Sequence, residues 1–308
     1  KGGTTSLFNY LSQHPRIMRP RMKELLFFIP FRFQHWSHKK QHQPKEGRHV
    51  RVREAREEMY FDRQDYKVQE LKLHPSSISF EATPDYLMYS TFSMQAILCT
   101  LPWVKILITI RNPIDRLFSH YNFLKDPTKS FNLNQNRTFP SFEEFVQEQV
   151  NILRHAGVLP PLNANEDDVN SFYGSPQERA AWSRYQVPRN QGDRPLARSL
   201  YALQLEEWVE ALEALGRGGQ TLQQDILIVH QEEMNNNPHI VVNRVLDWLG
   251  LPNNENMTQL FKTAQHKMVT QYTTKTMKNS TRKFLQKLFH PYNQRLYKLL
   301  SWEPIWDE

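Results

Sequence analysis

The stretch Val104-Lys105-Ile106-Leu107-Ile108-Thr109-Ile110 constrains the fold more than any other part of the chain. It is short, β-branched and nearly continuous in apolar residues, the pattern of a strand buried on both faces. Such strands occur in parallel sheets whose faces are covered by helices. The next residues agree, because Asn112 and Pro113 read as the N-cap and first residue of a following helix. A second buried strand is predicted at Asp225-Ile226-Leu227-Ile228-Val229-His230, and a weaker one at Ser77-Ile78-Ser79-Phe80-Glu81. Tyr201, Leu205, Trp208, Leu212 and Leu215 recur at helical spacing, and Gly216 and Gly218 stop that helix. Ser141 with Glu144 forms a capping box ahead of a helix over Phe142–Leu153. Short buried strands alternating with helices predict an α/β fold with a mainly parallel sheet.

The 308 residues, 39% apolar and 12% aromatic, can bury a sizeable core. That composition argues against a wholly disordered chain. The net charge of +7 points to an anionic partner, and nucleic acid, membrane surface, nucleotide and acidic polysaccharide all fit it. The single Cys99 excludes an intrachain disulfide and a cysteine-based zinc site. No apolar run approaches the roughly 18 residues of a membrane span. The chain opens at Lys1 without a Met, so a trimmed N-terminus is expected, and an anchor upstream of Lys1 is compatible with it. Residues 32–57, rich in Arg, His and Lys, and the proline-bearing 157–195 read as surface insertions without a helical or strand period. No Gly/Ser linker divides the chain, so one domain over 1–308 is expected.

Two motifs carry chemistry. Lys1-Gly2-Gly3-Thr4-Thr5-Ser6-Leu7 puts two glycines before an apolar-periodic stretch. Glycines let backbone N–H groups close around an anion, and the helix that follows offers its positive N-terminus. Thr4, Thr5 and Ser6 add hydroxyls and Lys1 a mobile charge. The order differs from a Walker A loop, in which the lysine follows the second glycine. Arg111-Asn112-Pro113-Ile114-Asp115-Arg116-Leu117-Phe118-Ser119-His120-Tyr121 stands where the best strand gives way to a helix. Ligands of open parallel sheets bind beyond the carboxyl ends of strands, and an arginine there can fork onto a phosphate.

Together these motifs resemble the sulfotransferases that use 3′-phosphoadenosine 5′-phosphosulfate (PAPS). Lys1–Ser6 is similar to their 5′-phosphosulfate loop, and Arg111–Tyr121 to their 3′-phosphate element. Further blocks resemble the glycan-modifying branch that contains heparan sulfate N- and 3-O-sulfotransferases. They are Lys23-Glu24-Leu25-Leu26-Phe27-Phe28, Glu81-Ala82-Thr83-Pro84-Asp85-Tyr86-Leu87, Arg198–Tyr201 with Trp208, Ile226–Val229 with Glu233, Trp248–Leu251 and Phe289–Asn293. Ala82 stands where the heparan-modifying members have a lysine, and Lys267, Gln271, Tyr272 and Lys275 occupy the region of their late Lys-Gly-Arg loop.

The resemblance implies a three-layer, P-loop-like α/β fold with a central, mainly parallel sheet flanked by helices and its first strand truncated. It implies a PAPS-dependent enzyme that passes a sulfuryl group to a hydroxyl or amine of a carbohydrate, with no metal. Lys1 would steady the leaving phosphate oxygen, and Gly2, Gly3, Thr4, Thr5 and Ser6 would cradle the phosphosulfate. Arg111 and Ser119 would grip the 3′-phosphate. Glu24 is the candidate general base, whose proton affinity burial by Phe27 and Phe28 would raise, and the alternative is a surface glutamate paired with Lys23. Lys23 and Arg198 are candidates for the substrate side. Arg116 is expected to brace its helix and His120 to pack. His35, His38 and His42 have helical spacing but lack a convincing ligand set. The sequons at Asn136, Asn256 and Asn279 are compatible with a Golgi lumen and a type II membrane protein, and a bacterial source would imply the cytoplasm. The alternative function is a non-catalytic binder of sulfated glycan or nucleic acid built on the same fold. A P-loop kinase ranks third.

Overall fold

The computed structural model describes residues 2–29, 60–61, 68–126, 139–187, 194–216, 222–253 and 276–306. In chain order these form α1 (Thr4–Leu11), β1 (Ile17–Met18), α2 (Val68–Leu73), β2 (Ile78–Ser79), α3 (Asp85–Met88), α4 (Ser90–Thr100) and β3 (Ile106–Ile110). Next come α5 (Pro113–Lys125), α6 (Phe142–His155), α7 (Glu166–Phe172), α8 (Pro176–Gln186), α9 (Tyr201–Ala214) and α10 (Leu222–Asp225). The series ends with β4 (Ile226–His230), α11 (Gln231–Asn236), α12 (Pro238–Leu249) and α13 (Asn279–Leu300). The chain folds into two compact units: a strand unit within Gly2–Ile110 and Trp208–Met268, and a helical unit within Arg111–Glu207 and Val269–Glu308.

All the described strands lie in the strand unit. β3 pairs with β4 in parallel, from Ile106 opposite Ile226 to Ile110 opposite His230. β1 and β2 pair in parallel, Ile17 opposite Ile78 and Met18 opposite Ser79. The three strands expected from sequence are all present and shorter than expected. Among the described residues the expected central sheet is represented by these two pairs. Parallel pairing of strands this far apart in sequence needs helical crossovers, which the intervening elements supply. Leu7, Tyr10 and Leu11 of α1 enter a core with Val229, Met234 and the buried α12 side chains Val241, Val242, Val245 and Leu246. Each such aliphatic side chain contributes about 1.5–3 kcal/mol when fully buried. Gly250 closes α12 at φ +68°, a conformation costly to residues with a Cβ.

In the helical unit the predicted caps form. Asn112 Oδ1 accepts from the Ile114 and Asp115 N–H groups at 3.0 and 3.3 Å. The Ser141–Glu144 capping box is complete, and α6 runs to His155. Tyr121 of α5 packs on Phe142 and Phe145 of α6.

The segment 157–195 is helical in part, although its sequence shows no helical period. Its described residues contain α7, capped by Asn165, and α8, capped by Ser175. The α8 face that turns inward is Glu178, Ala181, Trp182 and Tyr185, so a buried glutamate interrupts the apolar period. Arg295 of α13 makes that burial tolerable, with Nη1 at 2.6 Å from Glu178 Oε2 and its other nitrogens on Glu206 of α9. Among the described residues no helix is long and apolar enough to cross a membrane.

Candidate functional site

In the strand unit the glycine loop is pressed against strand ends. Gly3 is the N-cap of α1, at φ +86°. A Cβ at Gly3 would lie 2.6 Å from Met234 Cε and 3.2 Å from Gln231 Cγ. A Cβ at Gly2 would lie 3.1 Å from the Thr109 carbonyl oxygen. The loop therefore sits at the carboxyl ends of β3 and β4, the usual ligand side of a parallel sheet. A Cβ would be crowded at Gly2 and would overlap its neighbours at Gly3, where the positive φ also favours glycine. Thr4, Thr5 and Ser6 form the first turn of α1, whose leading N–H groups lack intrahelical acceptors.

Two side chains that the sequence did not single out line this loop. Thr109 Oγ1 and Gln231 Oε1 are buried with no hydrogen-bond partner. Thr109 Oγ1 would be 3.7 Å from a Cβ on Gly2. At the mouth of a glycine loop, such atoms are open to pairing with a polar ligand.

Lys23 reaches the same turn. Its Nζ lies 3.2 Å from Thr5 Oγ1, 3.4 Å from Thr4 Oγ1 and 2.9 Å from Glu24 Oε1. An ammonium and two hydroxyls thus converge at the positive end of α1, a set of donors suited to an anionic oxygen cluster. Glu24 takes the surface alternative. Its side chain is 40% exposed and ion-paired with Lys23, rather than buried by Phe27 and Phe28. Leu26, at φ +55°, turns the chain between them. Phe27 and Phe28 instead pack edge-on to each other and against Tyr60.

The buried carboxylate of this region is Glu81, from the Glu-Ala-Thr-Pro-Asp-Tyr block. Its Oε2 accepts from the Leu25 N–H at 3.2 Å and from Thr83 Oγ1 at 2.7 Å. Its Oε1 accepts from Tyr86 and Tyr60 hydroxyls at 2.7 and 3.4 Å. Burial pushes the Glu81 carboxyl above its ordinary range, and these donors offset part of the rise. The Tyr86 phenol is pushed up by burial and by the adjacent Glu81.

In the helical unit, Arg111 directly precedes Asn112, and its N–H points to the Tyr201 hydroxyl at 3.4 Å. Ser119 is buried on α5. Arg116, three residues earlier on the same face, donates to the Pro195 carbonyl at 2.8 Å and Ser199 Oγ at 3.2 Å, and touches His120 Nδ1. It therefore braces α5, and buried His120 packs beside it. Arg198 is half-buried in the 3-10 turn Ala197–Ser199. A cleft of about 310 Å³ opens at the start of α5, with Lys287, His290 and Asn293 of α13 along its wall. Lys1, the basic run 32–57 with His35, His38 and His42, and Lys267, Gln271, Tyr272 and Lys275 lie outside the described residues, as do Asn136 and Asn256.

Parallel strands, a glycine loop at their carboxyl ends, and hydroxyls and an ammonium gathered at the following helix define an α/β protein equipped to hold an anionic group. The chain belongs to the sulfotransferase family: the pattern described as "Sulfotransferase domain" matches residues 1–291. The crystal structure of a sulfotransferase from Alicyclobacillus acidocaldarius is similar to this chain, with a TM-score of 0.54 and 24% identity. That similarity covers 98% of this chain and 93% of the other. It bears out the expected α/β, P-loop-like fold. No curated protein matches the sequence.

Proposed function

We propose that this sulfotransferase takes its sulfuryl group from PAPS and delivers it to a hydroxyl or amine of a carbohydrate, as a relative of the heparan sulfate N- and 3-O-sulfotransferases. The observation that carries the reading is the convergence of Lys23, Thr4 and Thr5 at the Gly2-Gly3 turn, beside the unpartnered Thr109 and Gln231 oxygens. The glycine cradle and the unpaired Thr109 hydroxyl, which can donate, fit the phosphosulfate end of such a nucleotide. The nucleotide, when bound, supplies an activated sulfuryl group on a phosphate that leaves with developing negative charge.

The chain's own residues meet that chemistry by position and charge. The Gly3–Ser6 amides and the Thr4 and Thr5 hydroxyls hold the anionic oxygens. Lys1 and Lys23 supply positive charge where the leaving oxygen gains electrons, an effect that is strongest when preorganised. Glu24, open to solvent and beside Lys23, accepts the acceptor's proton at its carboxylate, a role worth about 10²–10⁴-fold in rate. Arg111 and Ser119 hold the 3′-phosphate, which distinguishes this donor from ATP. Arg198 serves the acceptor side. The glycan acceptor is supported by the collinear blocks from Lys23–Phe28 to Phe289–Asn293.

The test is transfer of radiolabelled sulfate from PAPS across a panel of native and desulfated polysaccharides, with calorimetry of adenosine 3′,5′-bisphosphate binding. Wild type labels at least one glycan. Glu24→Gln lowers kcat by about 10²-fold or more and leaves nucleotide affinity near wild type. Salt-sensitive polyanion binding with no nucleotide competition and no transfer would instead establish the non-catalytic alternative.

A further inference from the structure

We propose that Glu81 is a positioning residue that holds the Lys23–Glu24 pair at the glycine loop by clamping the backbone that follows it. The inference rests on the sulfotransferase reading for the roles of Lys23 and Glu24, and on geometry alone for the clamp.

The segment Lys23–Phe28 has no regular secondary structure of its own. Its backbone groups are satisfied instead by the block Glu81–Tyr86. The Ala82 N–H donates to the Lys23 carbonyl at 2.8 Å. The Leu25 N–H donates to Glu81 Oε2, the Leu26 N–H to Thr83 Oγ1 at 3.1 Å, and the Phe28 N–H to the Tyr86 hydroxyl at 3.3 Å. Thr83 and Tyr86 in turn both donate to Glu81. One carboxylate therefore accepts from Leu25 directly and orients the side-chain acceptors of the Leu26 and Phe28 N–H groups. Leu26 is held at φ +55°, which a leucine adopts only where its surroundings fix it. Among the described residues Glu81 makes no hydrogen bond or ion pair with the side chain of Lys23 or Glu24. It acts through the chain between them.

The side-chain pair that results is narrowly placed. Lys23 Nζ stands within reach of Thr4, Thr5 and Glu24 at once, and Glu24 stays exposed beside it. A shift of about 1 Å at such a site can cost on the order of 10²-fold in rate.

The experiment combines kinetics with amide hydrogen exchange. Glu81→Ala is expected to lower kcat by about 10²-fold while the dissociation constant for adenosine 3′,5′-bisphosphate stays within about threefold. Exchange of the Leu25, Leu26 and Phe28 amides rises at least about tenfold, while the β3 amides keep their protection. Glu81→Gln is the rescue. Its amide oxygen can accept from Leu25 and Thr83, and its NH₂ can donate to the two tyrosine hydroxyls, so kcat returns to within about fivefold of wild type. A folded Glu81→Ala with wild-type kcat and unchanged exchange overturns the proposal. So does one in which nucleotide affinity and β3 protection fall along with kcat. If Glu81→Ala does not fold, Tyr86→Phe removes the hydroxyl that links Glu81 to the Phe28 N–H, and the same criteria apply. A wild-type protein that binds no adenosine 3′,5′-bisphosphate defeats the donor assignment, and the exchange arm then decides the clamp by itself.

Discussion

Substituting Gly3 by alanine attacks the loop at its tightest point. Two costs are superimposed. The first is conformational, because a residue with a Cβ at φ +86° loses roughly 1–2 kcal/mol relative to glycine. The second is steric. The new methyl would sit 2.6 Å from Met234 Cε and 3.2 Å from Gln231 Cγ, well inside normal carbon–carbon contact. Met234 is 1% exposed and packed in the core with α1 and α12, so it cannot swing away without disturbing them. Overpacking of this kind costs about 1–3 kcal/mol. Gly3→Ala should therefore destabilise the protein by about 2–5 kcal/mol in urea unfolding followed by circular dichroism. Gly250→Ala isolates the first cost, since Gly250 has φ +68° and nothing within 4 Å of a built Cβ. Its loss should be about 1–2 kcal/mol. The difference between the two variants reads the contact with Met234. Met234→Ala combined with Gly3→Ala should recover part of it, seen as a coupling energy of about 1–2 kcal/mol. Equal losses at Gly3 and Gly250, or no coupling to Met234, would refute the placement of the loop against α11.

Gly2→Ala meets only the Thr109 carbonyl, at 3.1 Å, and has no positive φ to violate. The loop has to lift by a few tenths of an ångström, so stability should fall by less than about 1 kcal/mol while adenosine 3′,5′-bisphosphate affinity by calorimetry falls about tenfold. Arg295→Met leaves the fully buried Glu178 without its cation and should cost about 3–5 kcal/mol near neutral pH. The loss should shrink in acid, where Glu178, already pushed up by burial, takes up a proton. Glu81 gives a signed pH dependence. Its raised folded-state pKa means that the native protein binds the proton more tightly than the unfolded chain, so its contribution is present below the ordinary carboxylate pKa and lost as pH rises through the raised one. Urea midpoints across that window should therefore fall less with rising pH in Glu81→Gln than in wild type, and parallel curves would refute the assignment. Lys1→Ala should depress kcat by about 10²-fold or more with nucleotide affinity partly retained, read by sulfate transfer and calorimetry.

What was legible in the sequence is what local chemistry writes locally. The β3 run, the Asn112–Pro113 start of α5 and the Ser141–Glu144 box each depend on neighbours within one turn. The caps of α7 and α8 were equally local, at Asn165 and Ser175, yet the period behind α8 was obscured. Its inward face begins with Glu178, and it takes Arg295, far along the chain, beside the Gly174 N–H to make a glutamate acceptable there. For Glu24 the surface alternative, paired with Lys23, holds for a related reason. Adjacency to Phe27 and Phe28 implied shared burial, but the positive φ of Leu26 separates them. Thr109 and Gln231 carried no signal at all, since a threonine in a strand and a glutamine at a helix start are ordinary until a glycine loop is folded onto them.

The contrast between Gly3 and Leu26 explains how the strand unit shapes its candidate anion site without a long rigid scaffold around it. Both residues sit at positive φ, but one is a glycine and the other is not. At Gly3 the space is already filled by Met234 and Gln231, so only the absence of a side chain permits the turn. At Leu26 the side chain is allowed, and the strain of about 1–2 kcal/mol is carried by the hydrogen bonds of its neighbours to Glu81, Thr83 and Tyr86. A buried hydrogen bond contributes about 0.5–1.5 kcal/mol net, and those to a charged partner about 1.5–3 kcal/mol. That is enough to fix the turn and still leave Lys23 and Glu24 on a segment with no ladder of its own. The loop is thus set by sterics and the charged pair by a polar clamp. Gly3 is therefore best probed through its contact with Met234, and Glu81 through turnover together with amide exchange at Leu25–Phe28.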